Sequence, residues 1–154
     1  MQAENIKTLS FGCRLNALEC EKIARMLHGV IDAAIIINTC AVTHEGERQS
    51  AQAVRKVSRE NPNALIFVTG CAATRVPELF SKIPNVIVIH NQDKLNRDVY
   101  IREIQNKMST MTQLPCIDCF DYHSPRLSKQ FIQVQNGCNH DCTYCLTRLV
   151  RGAG

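Results

Sequence analysis

Residues 33–37 (Ala-Ala-Ile-Ile-Ile) and 64–69 (Ala-Leu-Ile-Phe-Val-Thr) are continuous apolar runs rich in β-branched side chains. A strand with one wet face alternates apolar and polar residues. A strand without that alternation is covered on both faces, as in a parallel sheet lying between helices. The flanking sequence agrees with this reading. Residues 6–11 and 86–89 read as further strands, and helical patterns fill the intervals. These are 17–27, with Leu18, Ile23, Met26 and Leu27 on one stripe, then about 43–59, then 75–83 with Pro77 in its first turn. Thr43 can cap the second helix, with Glu45 and Glu47 close behind. A polar helix follows from about 92 to 107. Strand–helix alternation of this kind predicts an α/β fold over residues 1–107, with an open, mostly parallel sheet and helices on both faces.

The periodicity stops at 108, and 108–128 reads as a linker. Residues 131–135 (Phe-Ile-Gln-Val-Gln) alternate with period two and are expected to be the first strand of a second unit, 129–154. Hydrophobic residues make up 45% and charged residues 21%, which allows a real core and excludes disordered, collagen-like and coiled-coil chains. No apolar run approaches the roughly 18–20 residues of a membrane span, and the start, MQAENIKTLS, lacks the apolar core of a signal peptide. A cytoplasmic protein with no membrane partner is expected. The net charge of +4 permits an RNA or phosphate partner without requiring one. Arg48, Arg55, Lys56 and Arg59 give the second helix a basic face, read as solvated surface; Lys94, Arg97 and Arg102 make a weaker one.

The chain has nine cysteines, an odd number without a secretion signal, which argues against a disulfide framework and toward metal or cluster binding. Cys13, Cys40 and Cys71 each lie one to three residues beyond a predicted strand and just ahead of a helix. In a parallel sheet such loops open at one edge, where strands are about 4.8 Å apart, so the thiols can converge. Helix N-termini there favour thiolate over thiol. Three thiolates suit an iron–sulfur cluster with one iron left open. Three small buried core residues would look the same. A structural zinc would need a fourth ligand, for which His44 is the nearby candidate.

Cys138, Cys142 and Cys145 form C-x3-C-x2-C, unlike the paired C-x2-C units of zinc ribbons. Three thiolates in one loop can hold three irons of a cubane and leave the fourth for a small chelating molecule. Cys116 and Cys119 form an isolated C-x2-C in the linker, read as solvent-facing. Cys20, inside the first helix, reads as packing or surface, and His44 and His140 as local hydrogen-bonding residues.

The loop of Cys138, Cys142, Tyr144 and Cys145 resembles the cluster loop of radical S-adenosylmethionine enzymes. Its flanks, Phe131 to Gly137 and Arg151-Gly152, resemble the methylthiotransferase branch. Phe11-Gly12-Cys13-Arg14-Leu15-Asn16, Asn38-Thr39-Cys40-Ala41-Val42-Thr43 and Thr69-Gly70-Cys71-Ala72 resemble the three cluster-ligand segments of that family's first domain. Arg14 is closest to the MtaB-like subgroup. The resemblance implies two 4Fe–4S clusters, one on Cys13, Cys40 and Cys71 and one on Cys138, Cys142 and Cys145. S-adenosylmethionine would bind the second, beside Tyr144. It implies methylthiolation of N6-threonylcarbamoyladenosine next to the anticodon of a tRNA, with an electron-donor protein as a further partner. Related activities, on another tRNA base or a ribosomal protein, and a non-catalytic iron–sulfur fragment are the alternatives. Family members continue into a partial β/α barrel and an RNA-binding β domain. Only 25 residues follow Lys129, so this chain is expected to hold an incomplete barrel and to lack turnover alone.

Overall fold

The computed structural model describes residues 5–109 and 131–154. The expected linker, with Cys116 and Cys119, lies outside the described residues except for Met108 and Ser109, which finish a helix. Four parallel strands, β1 (Asn5–Ser10), β2 (Ala33–Thr39), β3 (Ile66–Gly70) and β4 (Val86–Val88), lie side by side in the order β1-β2-β3-β4. Every residue of β2 and β3 is buried, the apolar runs 33–37 and 66–68 and also the polar Asn38, Thr39 and Thr69 that follow them.

On one face α1 (Arg14–Leu27) presents Cys20, Ile23 and Leu27 to Ala34, Ile36 and Phe67, and α5 (Arg97–Met108) adds Tyr100 and Ile104. On the other, α2 (His44–Glu60) presents Ala51, Val54 and Val57 to Ile35, Ile37, Ile66 and Val68, joined by α3 (Cys71–Arg75) and Phe80 of α4 (Glu78–Ser81). With Ser50, also buried, both helical sets repeat at three- and four-residue spacing. The sheet grows in one direction while α1 and α2 cover opposite faces, so these two crossovers differ in hand, an exception to the usual right-handed rule. The Thr43 hydroxyl accepts a hydrogen bond from the Gly46 N–H at 3.0 Å, the cap expected of it.

Four local expectations are corrected. Cys71 is the first residue of α3, not part of a loop, because Gly70 at φ +99° turns the chain straight from β3 into the helix. The helix expected over 75–83 is split: Pro77 has no N–H to continue α3, and Val76 before it leaves the helical region at φ −134°, ψ 62°. The last long helix begins at Arg97, not near 92, where Asn96 Oδ1 accepts from the Asp98 N–H at 3.1 Å. Residues 131–135 pair with no strand among the described residues; a strand needs a ladder partner, and here the alternation survives only as exposure. Ile132 and Val134 point to solvent, while the Arg14 guanidinium lies 5.3 Å from the Phe131 ring centre and Lys22 donates to Gln133 Oε1 at 3.2 Å. A short helix, α6 (Thr147–Arg151), ends the described chain, and no helix among the described residues is long and apolar enough to cross a membrane.

Candidate metal centre

Strand register sets the site. Ser10 is opposite Asn38, Asn38 opposite Thr69, and Thr39 opposite Gly70, so the chain leaves three neighbouring strands at one level. Cys40 and Cys71 follow their strands immediately, and Cys13 follows after a two-residue turn. All three line one cavity of about 330 Å³. Cys40 and Cys71 are buried and Cys13 is exposed at the mouth. Gly12, at φ +86°, is pressed against Cys40: a Cβ there would lie 2.5 Å from Cys40 Sγ. Gly12→Ala is therefore expected to displace the Cys40 thiol and to cost about 1–2 kcal/mol from the left-handed backbone alone. A urea titration checks this, and an unchanged midpoint would contradict it.

Beneath the cavity lies a buried ionic network that the sequence reading did not find. Glu19 Oε1 bonds Lys94 Nζ at 2.7 Å and Arg151 Nη1 at 2.9 Å, and all three side chains are buried. Burial alone would raise the Glu19 pKa, but the two cations outweigh it and hold the carboxyl below its ordinary value. Burial pulls Lys94 down, against the pull of Glu19. Asparagines join the network to the thiols. Asn16 Oδ1 accepts from Arg151 Nη2 at 2.7 Å and from the Cys13 thiol at 3.7 Å; Asn91 Oδ1 accepts from Lys94 at 2.9 Å while its Nδ2 lies 3.9 Å from Cys71 Sγ. Lys94, grouped by sequence with surface cations, is the correction here. A signal was present: Glu19 and Asn16 fall on the buried stripe of α1.

The second cysteine group folds over the first. Asn91 Nδ2 donates to the Val150 carbonyl at 2.6 Å, and Arg151 reaches Glu19 and Asn16 in α1, so α6 is tied to the mouth of the cavity. Tyr144, Cys145, Leu146, Thr147 and Val150 line the same space as Cys13, Cys40 and Cys71. The Thr147 hydroxyl, then the N–H groups of Thr147 and Arg148, hold the Cys145 thiol below its ordinary pKa. The Cys145 N–H donates to the Cys142 carbonyl at 3.1 Å, and the Cys138 N–H to the Gly152 carbonyl at 3.1 Å. A Cβ on Gly137 would collide with the Gly152 and Ala153 backbone, which makes glycine the residue that lets this loop close. Cys138 and Cys142 do not line the cavity; Cys142 is exposed and Cys138 half-buried.

His44 and His140 are exposed and outside the cavity, so His44 is not brought to the three thiols. Cys20 is a core residue whose thiol burial pushes up to about 12. Arg48 and Lys56 pair with Glu45 and Glu60 on their own helix, as a solvated face would. Among the described residues no three Cys, His, Asp or Glu surround a point at single-ion distance. In a multinuclear cluster each thiolate meets a different iron, and a cavity that carries Cys13, Cys40 and Cys71 from three strand ends, with Arg151 in its wall, offers the donor set such a group takes.

The family model described as uncharacterized protein family UPF0004 matches residues 5–90. A protein of Rickettsia prowazekii named threonylcarbamoyladenosine tRNA methylthiotransferase MtaB is 39% identical over 154 residues, covering 94% of this chain and 35% of its own length. The Bacillus subtilis protein of that name is 30% identical, with 93% of this chain and 36% of its length covered. A Sulfurihydrogenibium protein named tRNA-2-methylthio-N(6)-dimethylallyladenosine synthase is also 30% identical, with 96% of this chain and 38% of its length covered. No solved structure matches the chain significantly. The chain thus spans little more than a third of the length of these relatives. By its match over more than half of its residues, the chain belongs to the UPF0004 family, the amino-terminal domain of the methylthiotransferases.

Proposed function

We propose that this chain is the amino-terminal part of a cytoplasmic tRNA methylthiotransferase. Cys13, Cys40 and Cys71 hold one 4Fe–4S cluster, and Cys138, Cys142 and Cys145 hold another, which takes S-adenosylmethionine beside Tyr144. The observation that carries this reading is the convergence of three thiols from three adjacent strand ends on one cavity, with Cys145 at its rim. Bound there, the clusters and S-adenosylmethionine supply electron transfer, C–H activation and sulfur, chemistry that amino-acid side chains lack. The protein's own part is positional. Gly12 and Gly70 let the backbone pack against Cys40 and turn into Cys71, Asn91 donates toward the Cys71 sulfur, and α6 keeps Cys145 ionisable at the rim.

The substrate we infer is N6-threonylcarbamoyladenosine next to the anticodon, which the relatives' names support; an external one-electron protein donor completes the set. Deleting the gene is expected to remove the 2-methylthio group from this nucleoside in total tRNA, read by mass spectrometry. The wild-type gene restores it and Cys40→Ala does not. Loss of the methylthio group from dimethylallyladenosine instead would reassign the base, in line with the second relative name. Unchanged tRNA would reject the function.

A further inference from the structure

The Glu19–Lys94–Arg151 network contains two cations and one carboxylate. One carboxylate balances one of them; a second buried cation is expensive unless an anion stands nearby. A cluster held by the cavity cysteines would be such an anion. Arg151 lines the cavity together with Cys13, Cys40 and Cys71. Each cation also reaches a cysteine through one amide. Lysine can only donate, so Lys94 fixes Asn91 with Oδ1 toward itself, which leaves Nδ2 for Cys71 Sγ and the Val150 carbonyl. Arg151 holds Asn16 Oδ1, so at Cys13 the amide presents an acceptor rather than a donor, while Asn16 Nδ2 is committed to the Phe11 and Thr39 carbonyls at 2.7 and 3.2 Å. The amide donor on Cys71 and the surplus positive charge act in one direction: both favour more negative charge on sulfur.

We propose that Lys94 and Arg151, bridged by Glu19, are positioning residues whose surplus positive charge raises the electron affinity of the iron–sulfur group held by Cys13, Cys40 and Cys71. The inference rests on the cluster reading above. Reduction adds one electron from an external donor, with no bond made or broken, so the group becomes more negative by one charge. A buried cation beside it stabilises that state more than the oxidised one, and the reduction potential rises.

The test uses the full chain, reconstituted anaerobically with iron and sulfide. Cys138, Cys142 and Cys145 are replaced by alanine so that only the first site reports. Potentiometric titration with dithionite, followed by electron paramagnetic resonance, reads the potential. Lys94→Met removes one positive charge and is expected to lower it. Glu19→Gln removes the negative charge and is expected to raise it, although both substitutions disturb the same network. Lys94→Arg keeps the charge and is expected to restore the wild-type potential. A Lys94→Met potential at or above wild type, or shifts of Lys94→Met and Glu19→Gln in the same direction, would overturn the proposal, because loosened packing alone moves both one way. If Glu19→Gln does not fold, the Lys94→Met and Lys94→Arg pair decides. Iron bound normally with unmoved potentials would sink only this inference; no iron bound in the parent would sink the cluster reading with it.

Discussion

Replacing Glu19 by alanine is expected to cost about 3–5 kcal/mol, because it leaves Lys94 and Arg151 buried without their carboxylate. That is a large share of the roughly 5–15 kcal/mol by which a domain is folded. For a chain of this length it corresponds to a fall in melting temperature of roughly 6–20 °C. The loss is expected to spread to both ends of the chain, since Glu19 in α1 is bonded to Arg151 in α6, 132 residues away. Acid supplies a second signature. The folded-state pKa of Glu19 is depressed, so its contribution is complete above the ordinary carboxyl value of 4.5 and drains away as pH falls through the lower folded value. The difference in stability between wild type and Glu19→Ala should therefore be full at neutral pH and narrow below about pH 4.5. Thermal melts at pH 7 and at pH 3.5 check both statements. Equal melting temperatures at pH 7 would show that the network contributes nothing.

Gly70→Ala is the second large effect. Gly70 sits at φ +99°, ψ −169°, a region that only glycine occupies without strain, at a cost of about 1–3 kcal/mol for another residue. A Cβ there would also overlap Asn38 Oδ1 and the backbone of Thr39, and a strand backbone locked in the sheet cannot swing aside as a side chain can. A total of about 3 kcal/mol or more is expected. The turn also delivers Cys71 to the cavity, so whatever folds will hold that thiol out of place. Gly29 is the internal control: it has φ +72° but nothing within 4 Å of an added Cβ. Gly29→Ala is expected to cost only the backbone penalty of about 1–2 kcal/mol. Urea midpoints separate the two, and equal losses would show that contact with Asn38 and Thr39 is irrelevant.

Much of the scaffold was legible because its physics is local. β2 and β3 are covered on both faces, so their sequences run apolar until Asn38, Thr39 and Thr69 near the strand ends, and Thr43 lies where a cap belongs. The three strand-end thiols were legible for the same reason: a parallel sheet aligns successive strand ends, and one cavity receives all three. What escaped depended on distant partners. The sequence does not say that Lys94 will meet a carboxylate 75 residues earlier, although a Glu at position 19 among the inward residues of α1 was a warning. Nor does period two at 131–135 make a strand, because that needs a neighbour. Pro77 was visible, but its effect on the turn before it, the end of α3 at Arg75, depended on the glycine that had already started that helix at Cys71.

The central claim is that folding gathers Cys13, Cys40 and Cys71 into an iron-binding site distinct from Cys138, Cys142 and Cys145. Iron and acid-labile sulfide per chain, counted after anaerobic reconstitution, test it most directly. Wild type is compared with a variant carrying alanine at positions 13, 40 and 71. Two cubane clusters predict about eight irons in wild type and about four in the variant, with sulfide falling in step. Zinc in place of iron, or a variant that keeps the full wild-type count, would contradict the account.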